Sequence, residues 1–302
     1  MKIFAFWTGA PYVERILEEF EKQGHEITDT PSKDCDLHIC LQMGDQNTHN
    51  SLVEIKKRFP DVPFFTYVWD CYEWIHNQQA YLHHLAIDFN NKNRNDGYDW
   101  RGLGRVCNIS EKVFVPSEGQ RYRCLQHWEV GLEKTKSIPA YAPFFKRKVS
   151  DRDYVCDPLR SIPDRHAGWA ERACSELKIP YQHGGRGKGK TIKSWKKYKK
   201  WISNSSFVIC PWYEASTGGM SLLEAYYIGK EVLICNSPYM GAKDYFGDRA
   251  NYFEPTYESM KESLQKMWEE RPSRYSLKDR RKFCERFSLE NFCKNIIKEI
   301  DK

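Results

Sequence analysis

Two glutamates and a pair of glycines in one short stretch have the types and spacing of a site for a phosphate and a sugar. The stretch covers residues 211–234, and Gly218 and Gly219 lie where a helical pattern begins. The first amides of a helix have no partners inside the helix, and the peptide dipoles add positive potential there, which favours a phosphate or diphosphate. Glu224 follows about a turn and a half later, where a carboxylate accepts paired hydrogen bonds from vicinal hydroxyls such as those of a ribose. Glu214, on the preceding loop, is expected to face whatever is attached to the phosphate.

The chain around these groups has the order of a βαβ unit. Residues 207–210 and 232–235 are short apolar runs, which are typical of buried parallel strands. Between them lies a helical pattern with one apolar face, formed by Leu222, Leu223, Ala225, Tyr226 and Tyr227. Gly229 stands where such a helix ends. An ordinary βαβ unit with a solvated carboxylate at the start of its helix is the alternative interpretation.

This segment resembles the donor-binding signature of retaining GT-B glycosyltransferases of the family 4 type. That signature contains a Tyr-Glu pair, a glycine-bearing loop and a Leu-Glu-Ala run on a helix. The matching residues are Tyr213-Glu214, Gly218-Gly219 and Leu223-Glu224-Ala225. The family usually leaves seven residues between its two glutamates, whereas nine lie between Glu214 and Glu224, so the loop of this chain is longer.

The resemblance implies an α/β protein with the GT-B fold, in which two Rossmann-like doubly wound domains face each other across a cleft. Strand and helix patterns that alternate along the chain favour parallel sheets on their own account. The predicted domains are residues 1–143, on the acceptor side, and residues 144–302, which bind the nucleotide sugar. The last helices either stay with the second domain or return to the first.

The resemblance also implies the reaction: a sugar leaves a nucleotide diphosphate sugar and joins an acceptor with retention of configuration, without a metal. The donor is expected to be a UDP- or GDP-sugar, and no other cofactor is expected. Arg160 and Arg165 keep the spacing of an arginine and a lysine that face the donor diphosphate in the family, and Gly9 matches a glycine beside the donor phosphates. With Glu214, the two arginines are the candidate catalytic residues. Surface arginines and a simple turn glycine are the alternatives.

The candidate donor-binding residues are the glycine of the first loop, the loop and helix start after residue 216, and the helical glutamate: Gly9, Thr217, Gly218, Gly219, Met220, Ser221, Leu222 and Glu224. The candidate acceptor residues are Asp45, Trp69 and Asp70, which follow predicted strands of the first domain, where ligands of such sheets collect. Residues 69–74 contain two indoles beside carboxylates. These side chains form either a stacking surface for a sugar or a base, or an ordinary packed loop, and the sequence favours neither alternative. Residues 77–89 are predicted as a helix and residues 90–105 as an irregular loop that is long enough to bind an acceptor.

A lysine-rich segment, residues 186–200, contains no acidic residue. Its helical part has one apolar face, formed by Trp195, Tyr198, Trp201 and Ile202, so the lysines decorate the other face. They form either a solvated helix face or a binding surface that attracts a polyanionic acceptor such as nucleic acid. The acceptor itself stays open among a polysaccharide, a lipid-linked glycan, a small metabolite and a modified DNA base.

Composition bounds the remaining possibilities. The 302 residues suit two domains of ordinary size, and the chain has 40% hydrophobic and 29% charged residues. Eleven scattered cysteines without a CxxC pair favour reduced thiols over disulfides or a zinc site. We see no secretion signal and no apolar run long enough to span a membrane, so the expected location is the cytoplasm.

Two other classes compete with the enzyme. A non-catalytic module on a degenerate GT-B fold would bind a nucleotide or an anionic polymer, and the lengthened glutamate loop is its best argument. A Rossmann oxidoreductase ranks last, because the glycine fingerprint of dinucleotide-binding proteins is missing after the first strand.

Overall fold

A computed structural model describes residues 1–6, 11–41, 46–69, 100–150, 153–158, 167–184, 192, 194–211, 219–237 and 241–301. The strands are β1 (Lys2–Phe6), β2 (Glu26–Thr28), β3 (Leu37–Cys40), β4 (Phe64–Tyr67), β5 (Lys112–Val115), β6 (Thr135–Ser137), β7 (Val155–Asp157), β8 (Tyr181–His183), β9 (Phe207–Cys210), β10 (Glu231–Cys235) and β11 (Asn251–Phe253). The helices are α1 (Pro11–Lys22), α2 (Gln46–Arg58), α3 (Trp100–Ile109), α4 (Glu118–Trp128), α5 (Ala167–Glu176), α6 (Trp195–Asn204), α7 (Met220–Tyr227), α8 (Gly241–Phe246), α9 (Tyr257–Glu270), α10 (Leu277–Cys284) and α11 (Leu289–Ile300).

The chain divides into two compact units. Unit 1 contains Met1–Ala140 and Leu289–Lys302, and unit 2 contains Tyr141–Ser288. The final helix, α11, therefore belongs to unit 1, where the Cys293 thiol lies 3.8 Å from the Ile16 carbonyl of α1.

Each unit is built on a parallel sheet with the same strand order. Among the described residues, the sheet of unit 1 has the order β2-β1-β3-β4-β5-β6, and the sheet of unit 2 has the order β11-β10-β9-β7-β8. In both, the first strand lies between the second and the third, which is the flavodoxin-like order of a doubly wound sheet. Its topological switch point falls between β1 and β3 in unit 1 and between β7 and β9 in unit 2. The prediction of parallel, doubly wound sheets is confirmed.

Buried apolar strands explain why the centre of unit 2 forms as it does. Every residue of β9 and β10 is buried, which is the pattern of a strand covered by helices on both faces. The helix between them, α7, ends as the sequence predicted, because Gly229 adopts a φ of +102°. The amides of Gly229 and Lys230 then bond to the carbonyls of Tyr226 and Ala225 at 3.0 and 2.9 Å, which satisfies the last turn of the helix.

One prediction of irregular structure was wrong. Residues 100–105 belong to helix α3 instead of a loop. This helix packs tightly at Gly104. A Cβ at this position would lie 2.6 Å from Cδ1 of Trp128, so the glycine lets α3 approach α4. The helix predicted for residues 77–89 lies outside the described residues.

The end of α7 gives a prediction about stability. Gly229→Ala forces a side chain into a left-handed backbone conformation and is expected to lower the free energy of unfolding by about 1–2 kcal/mol. Gly168→Ala is the matched control, because Gly168 lies in helix α5 and a Cβ there meets nothing within 4 Å. That control is expected to stabilise the protein by up to about 1 kcal/mol. Urea unfolding of both variants measures the difference, and equal stability would contradict the strain at Gly229.

Candidate functional site

The candidate site lies at the switch point of the sheet in unit 2. Strands β7 and β9 are direct neighbours there and run parallel, with Val155 opposite Phe207. Ligands of open α/β sheets bind in the crevice beyond the carboxyl ends of the strands at this point. The two strands end at Asp157 and Cys210, so the segments that follow both of them leave the sheet at the same edge.

The start of helix α7 offers amides without partners inside the helix to this edge. Gly219 is the residue before the helix, and no side chain caps the helix start. The first bond along the helix runs from the amide of Leu223 to the carbonyl of Gly219 at 2.8 Å, so the amides before Leu223 have no acceptor inside the helix. Met220 is 41% exposed, so this end of the helix reaches the surface. An anion fits here because the donors and the helix dipole favour the same charge.

Glu224 places a carboxyl group inside the protein, one turn along α7. The residue is only 4% exposed, and the hydroxyl of Tyr198 donates a hydrogen bond to its Oε2 atom at 2.7 Å. Among the described residues no hydrogen bond reaches Oε1. One carboxyl oxygen is thus held by the protein, and the other is left for a further donor.

Burial changes the ionisation of both partners. Removal from water raises the pKa of Glu224 to about 8, although the hydrogen bond from Tyr198 works in the opposite direction. Burial, together with the neighbouring Glu224 carboxyl, raises the pKa of the Tyr198 phenol well above its ordinary value. The pair therefore consists of a neutral phenol and a carboxyl group that ionises near neutral pH.

Tyr198 is held in place by the aromatic face of α6. The Trp195 ring stacks on the Tyr198 ring with centroids 5.1 Å apart and planes 12° apart. At the other end of the helix, the indole nitrogen of Trp201 donates to Oε1 of Gln182 at 2.8 Å. A Cβ on Gly184 would lie 2.4 Å from the Trp201 ring, so the absence of a side chain at the end of β8 lets α6 approach.

Tyr198 was recognised from the sequence only as part of an apolar helix face. Its hydroxyl was the available signal, because a tyrosine on a buried face usually finds a hydrogen-bond partner for its oxygen. The partner lies 26 residues away in another helix, and no spacing rule connects them.

The structure describes six of the fourteen predicted site residues. Five of them come together at the start of α7: Gly219, Met220, Ser221, Leu222 and Glu224. Leu222 contributes only its amide, because its side chain is fully buried in the core. The predicted site residues outside the described part of the chain are Gly9, Asp45, Asp70, Arg160, Arg165, Glu214, Thr217 and Gly218.

Trp69, the sixth described residue, lies in the core of unit 1. It is 8% exposed, and its indole nitrogen donates to the carbonyl of Leu41 at 2.7 Å. Its ring packs against Tyr12, Tyr67 and Phe292, with centroids 5.1, 4.7 and 5.9 Å away. These packing contacts explain why an aromatic side chain occupies this position. The contact of Trp69 with an acceptor stays a prediction.

Among the described residues no group of His, Cys, Asp and Glu side chains is placed to hold a metal ion. None of the helices described is both long and apolar enough to cross a bilayer.

No protein-family profile and no curated protein sequence matches this chain. Solved structures do match it. Anabaena HepE in complex with UDP has a TM-score of 0.67 and 13% identity, and the match covers 99% of each chain. The apo form of the lipopolysaccharide outer core galactosyltransferase WaaB has a TM-score of 0.65 and 11% identity, also over 99% of each chain. TarM has a TM-score of 0.63 and 14% identity over 90% of this chain and 56% of its own, so this chain spans about half of TarM.

At these identities the likeness establishes the fold. The two parallel sheets with their helices are those of the GT-B glycosyltransferases, and the predicted GT-B fold is confirmed.

The raised pKa of Glu224 predicts a pH-dependent stability. Between the ordinary carboxyl pKa of 4.5 and the folded value of about 8, the folded chain keeps a proton that the unfolded chain has released. Stability that is present below pH 4.5 is therefore lost as the pH rises towards 8. Glu224→Gln removes this loss, so relative to the original chain its free energy of unfolding should rise by on the order of a few kcal/mol between about pH 5 and pH 8. Urea unfolding at the two pH values tests this, and a constant difference would contradict it.

The hydrogen bond from Tyr198 gives a second prediction with its own control. Tyr198→Phe leaves the buried carboxyl without its donor and should cost about 1–3 kcal/mol of stability once Glu224 is ionised. This cost should grow as the pH rises past about 8, because Tyr198 favours the charged form. Tyr154→Phe is the control, since the Tyr154 hydroxyl donates to the backbone carbonyl of Trp201 on the same helix at 2.5 Å. Its cost should not follow the ionisation of Glu224, and parallel pH curves for the two variants would show that Tyr198 does not act on the carboxyl.

Proposed function

We propose that this chain is a glycosyltransferase that moves a sugar from a nucleotide diphosphate sugar to an acceptor with retention of configuration. The observation that carries the proposal is the buried Glu224 carboxyl, with one oxygen held by Tyr198, beside the open start of α7 in a GT-B sheet. A carboxyl group in that position suits the paired hydroxyls of a ribose, and the amides suit the phosphates attached to it.

The solved neighbours support this choice of ligand. HepE was solved with UDP, and WaaB is a galactosyltransferase by name. For this chain we propose a UDP- or GDP-sugar as the donor and no other cofactor.

The proposed chemistry stabilises the diphosphate that leaves the sugar. Glu224 holds the ribose, and the amides of residues 219–221 bind phosphate oxygens. Negative charge develops on the diphosphate as it leaves the sugar. Arg160 and Arg165 supply the positive charge that pairs with it, so the proposed reaction requires no metal. Donors fixed in advance of the reaction lower its barrier most where charge develops on a leaving group.

The residues outside the described part of the chain have roles in the same proposal. Glu214 orients the transferred sugar, while Thr217 and Gly218 complete the phosphate loop. Gly9 is the proposed counterpart of the glycine beside the donor phosphates in the family. These roles follow from the family resemblance of the sequence.

The acceptor is assigned to unit 1. Asp45, Trp69 and Asp70 are the candidate contacts, since they follow strands β3 and β4, whose carboxyl ends lie at one edge of the sheet. The acceptor class is a glycan, a lipid-linked glycan, a small metabolite or a modified DNA base.

A second candidate is a non-catalytic module that binds a nucleotide or a polyanion on the same fold. The specific observation in its favour is the nine-residue spacing between Glu214 and Glu224, where the family usually has seven. Both candidates bind the nucleotide, and only the enzyme releases a free nucleoside diphosphate from its sugar conjugate.

The donor proposal is tested by binding and turnover. The full chain is expected to bind UDP or GDP in calorimetry and to release the diphosphate from at least one sugar conjugate. Glu224→Ala is expected to weaken binding by about 1–3 kcal/mol, because a buried hydrogen-bonded contact to the ribose is lost. NMR of the product should show the anomeric configuration of the donor.

Glu258→Ala is the matched control, because Glu258 is an exposed glutamate on helix α9 of the same unit. It should bind the nucleotide as the original chain does. Full affinity in Glu224→Ala would remove this carboxyl from the site, and binding without any turnover would favour the non-catalytic module.

A further inference from the structure

The structure brings together two basic segments that are far apart in the sequence. Residues 144–150 run alongside helix α6: Phe145 packs against Trp195 at one end, with centroids 5.7 Å apart. At the other end, the Ser150 hydroxyl donates to Oδ1 of Asn204 at 2.7 Å. Phe144, Phe145 and Val149 join the same core as the aromatic face of α6.

The cations of both segments remain on the outside of this packing. Between the inward-facing residues, the first segment carries Lys146, Arg147 and Lys148, all exposed or half-exposed. On α6 the outward-facing residues are Lys196, Lys197, Lys199 and Lys200. We call these seven residues the basic face. The sequence pattern had pointed to residues 186–200 and had not included residues 146–148.

Among the described residues, no carboxylate forms an ion pair with the basic face. Neither segment contains an aspartate or a glutamate. None of the ion pairs between described residues involves any of the seven cations, whereas Arg172, Lys261 and Arg271 of the same unit are paired with carboxylates. The whole chain has a net charge of only +6, so seven cations on one face with no carboxylate in their segments are a local concentration of charge. A concentration of unpaired charge of this kind is the electrostatic footprint of a polyanion site.

We infer that the basic face binds the phosphate backbone of a nucleic acid duplex. Phosphate contacts from lysine and arginine need charge and reach, and they carry no demand for a shaped pocket. Stacked bases are not expected, because the Trp195 ring is already engaged by Tyr198 and Phe145, with the Lys199 ammonium 5.6 Å from its centroid.

A lipid surface fits the same residues less well. A helix that binds a membrane interface inserts a continuous apolar face, and the apolar face of α6 is used in the core. Ile202 is fully buried, and Trp195, 46% exposed, is the large aromatic residue that this helix presents to solvent. One indole supplies too little apolar surface for insertion into a membrane. Charge complementarity therefore favours a nucleic acid over a lipid surface as the partner.

The inference deepens the proposed function, because it names nucleic acid as the acceptor polymer and in that respect rests on the glycosyltransferase proposal. Binding itself does not depend on the donor or on catalysis. An experiment without any nucleotide sugar therefore separates a failure of the basic face from a failure of the enzyme proposal.

Salt-dependent binding tests the inference. Binding of a fluorescently labelled DNA duplex to the full chain is followed by anisotropy between about 50 and 200 mM salt. The affinity should fall steeply over this range, because the release of condensed counterions from the DNA becomes less favourable as the salt concentration rises. The double variant Lys196→Ala and Lys200→Ala removes two cations one turn apart on α6. It should weaken binding by about tenfold or more at the lower salt, and its log–log salt slope should be smaller by about two.

The matched control removes two exposed lysines with the same spacing on α10, through Lys278→Ala and Lys282→Ala. The control should keep both the affinity and the salt slope of the original chain, and thermal unfolding checks that both variants are folded. Equal losses in the two double variants, or no binding at the lower salt, would overturn the inference. Binding to vesicles of anionic lipid without binding to the duplex would overturn it as well.

Discussion

The hydrogen bond between Tyr198 and Glu224 is the interaction on which the arrangement of unit 2 depends. A carboxyl group that is 4% exposed loses most of its hydration, and a protein tolerates this only if another group replaces part of the water. Tyr198 supplies that group from α6, so α6 must lie at one distance and rotation relative to α7. The contacts of Trp201 with Gln182 and with the open face of Gly184 fix the same helix on β8. The position of one carboxyl group thus accounts for features in three separate elements.

The sequence predicted those parts of the fold that have a local cause. Gly229 ends α7 because its backbone adopts a conformation that glycine favours. The start of helix α3, residues 100–105, was missed, and the packing of this helix has a tertiary cause. Gly104 leaves room for Trp128, which lies in a different helix, and nothing in the local pattern distinguishes that use from a loop.

The candidate site divides in the same way. The place of Glu224 followed from its spacing to the glycines, which is a local property of one βαβ unit. The contact of Tyr198 with Glu224 and the position of residues 146–148 beside α6 became visible only in the folded chain, because both arise from packing between segments that are distant in the sequence. Patterns of period and spacing identify which face of a helix is buried, and they do not identify what that face meets.

Helix α6 is stabilised from one side only, and this links the carboxyl site to the basic face. Its first turn contains no acidic residue and carries Lys196 and Lys197 at the positive end of the helix dipole, and the side chain of Ser194 makes no capping hydrogen bond. Lys196 and Lys200 also repel each other across one turn. Local electrostatics therefore oppose the helix, and the aromatic packing that holds Tyr198 against Glu224 has to maintain it. A bound polyanion would remove this opposition, so charge neutralisation on the outer face stabilises the same helix that positions the carboxyl on the inner face.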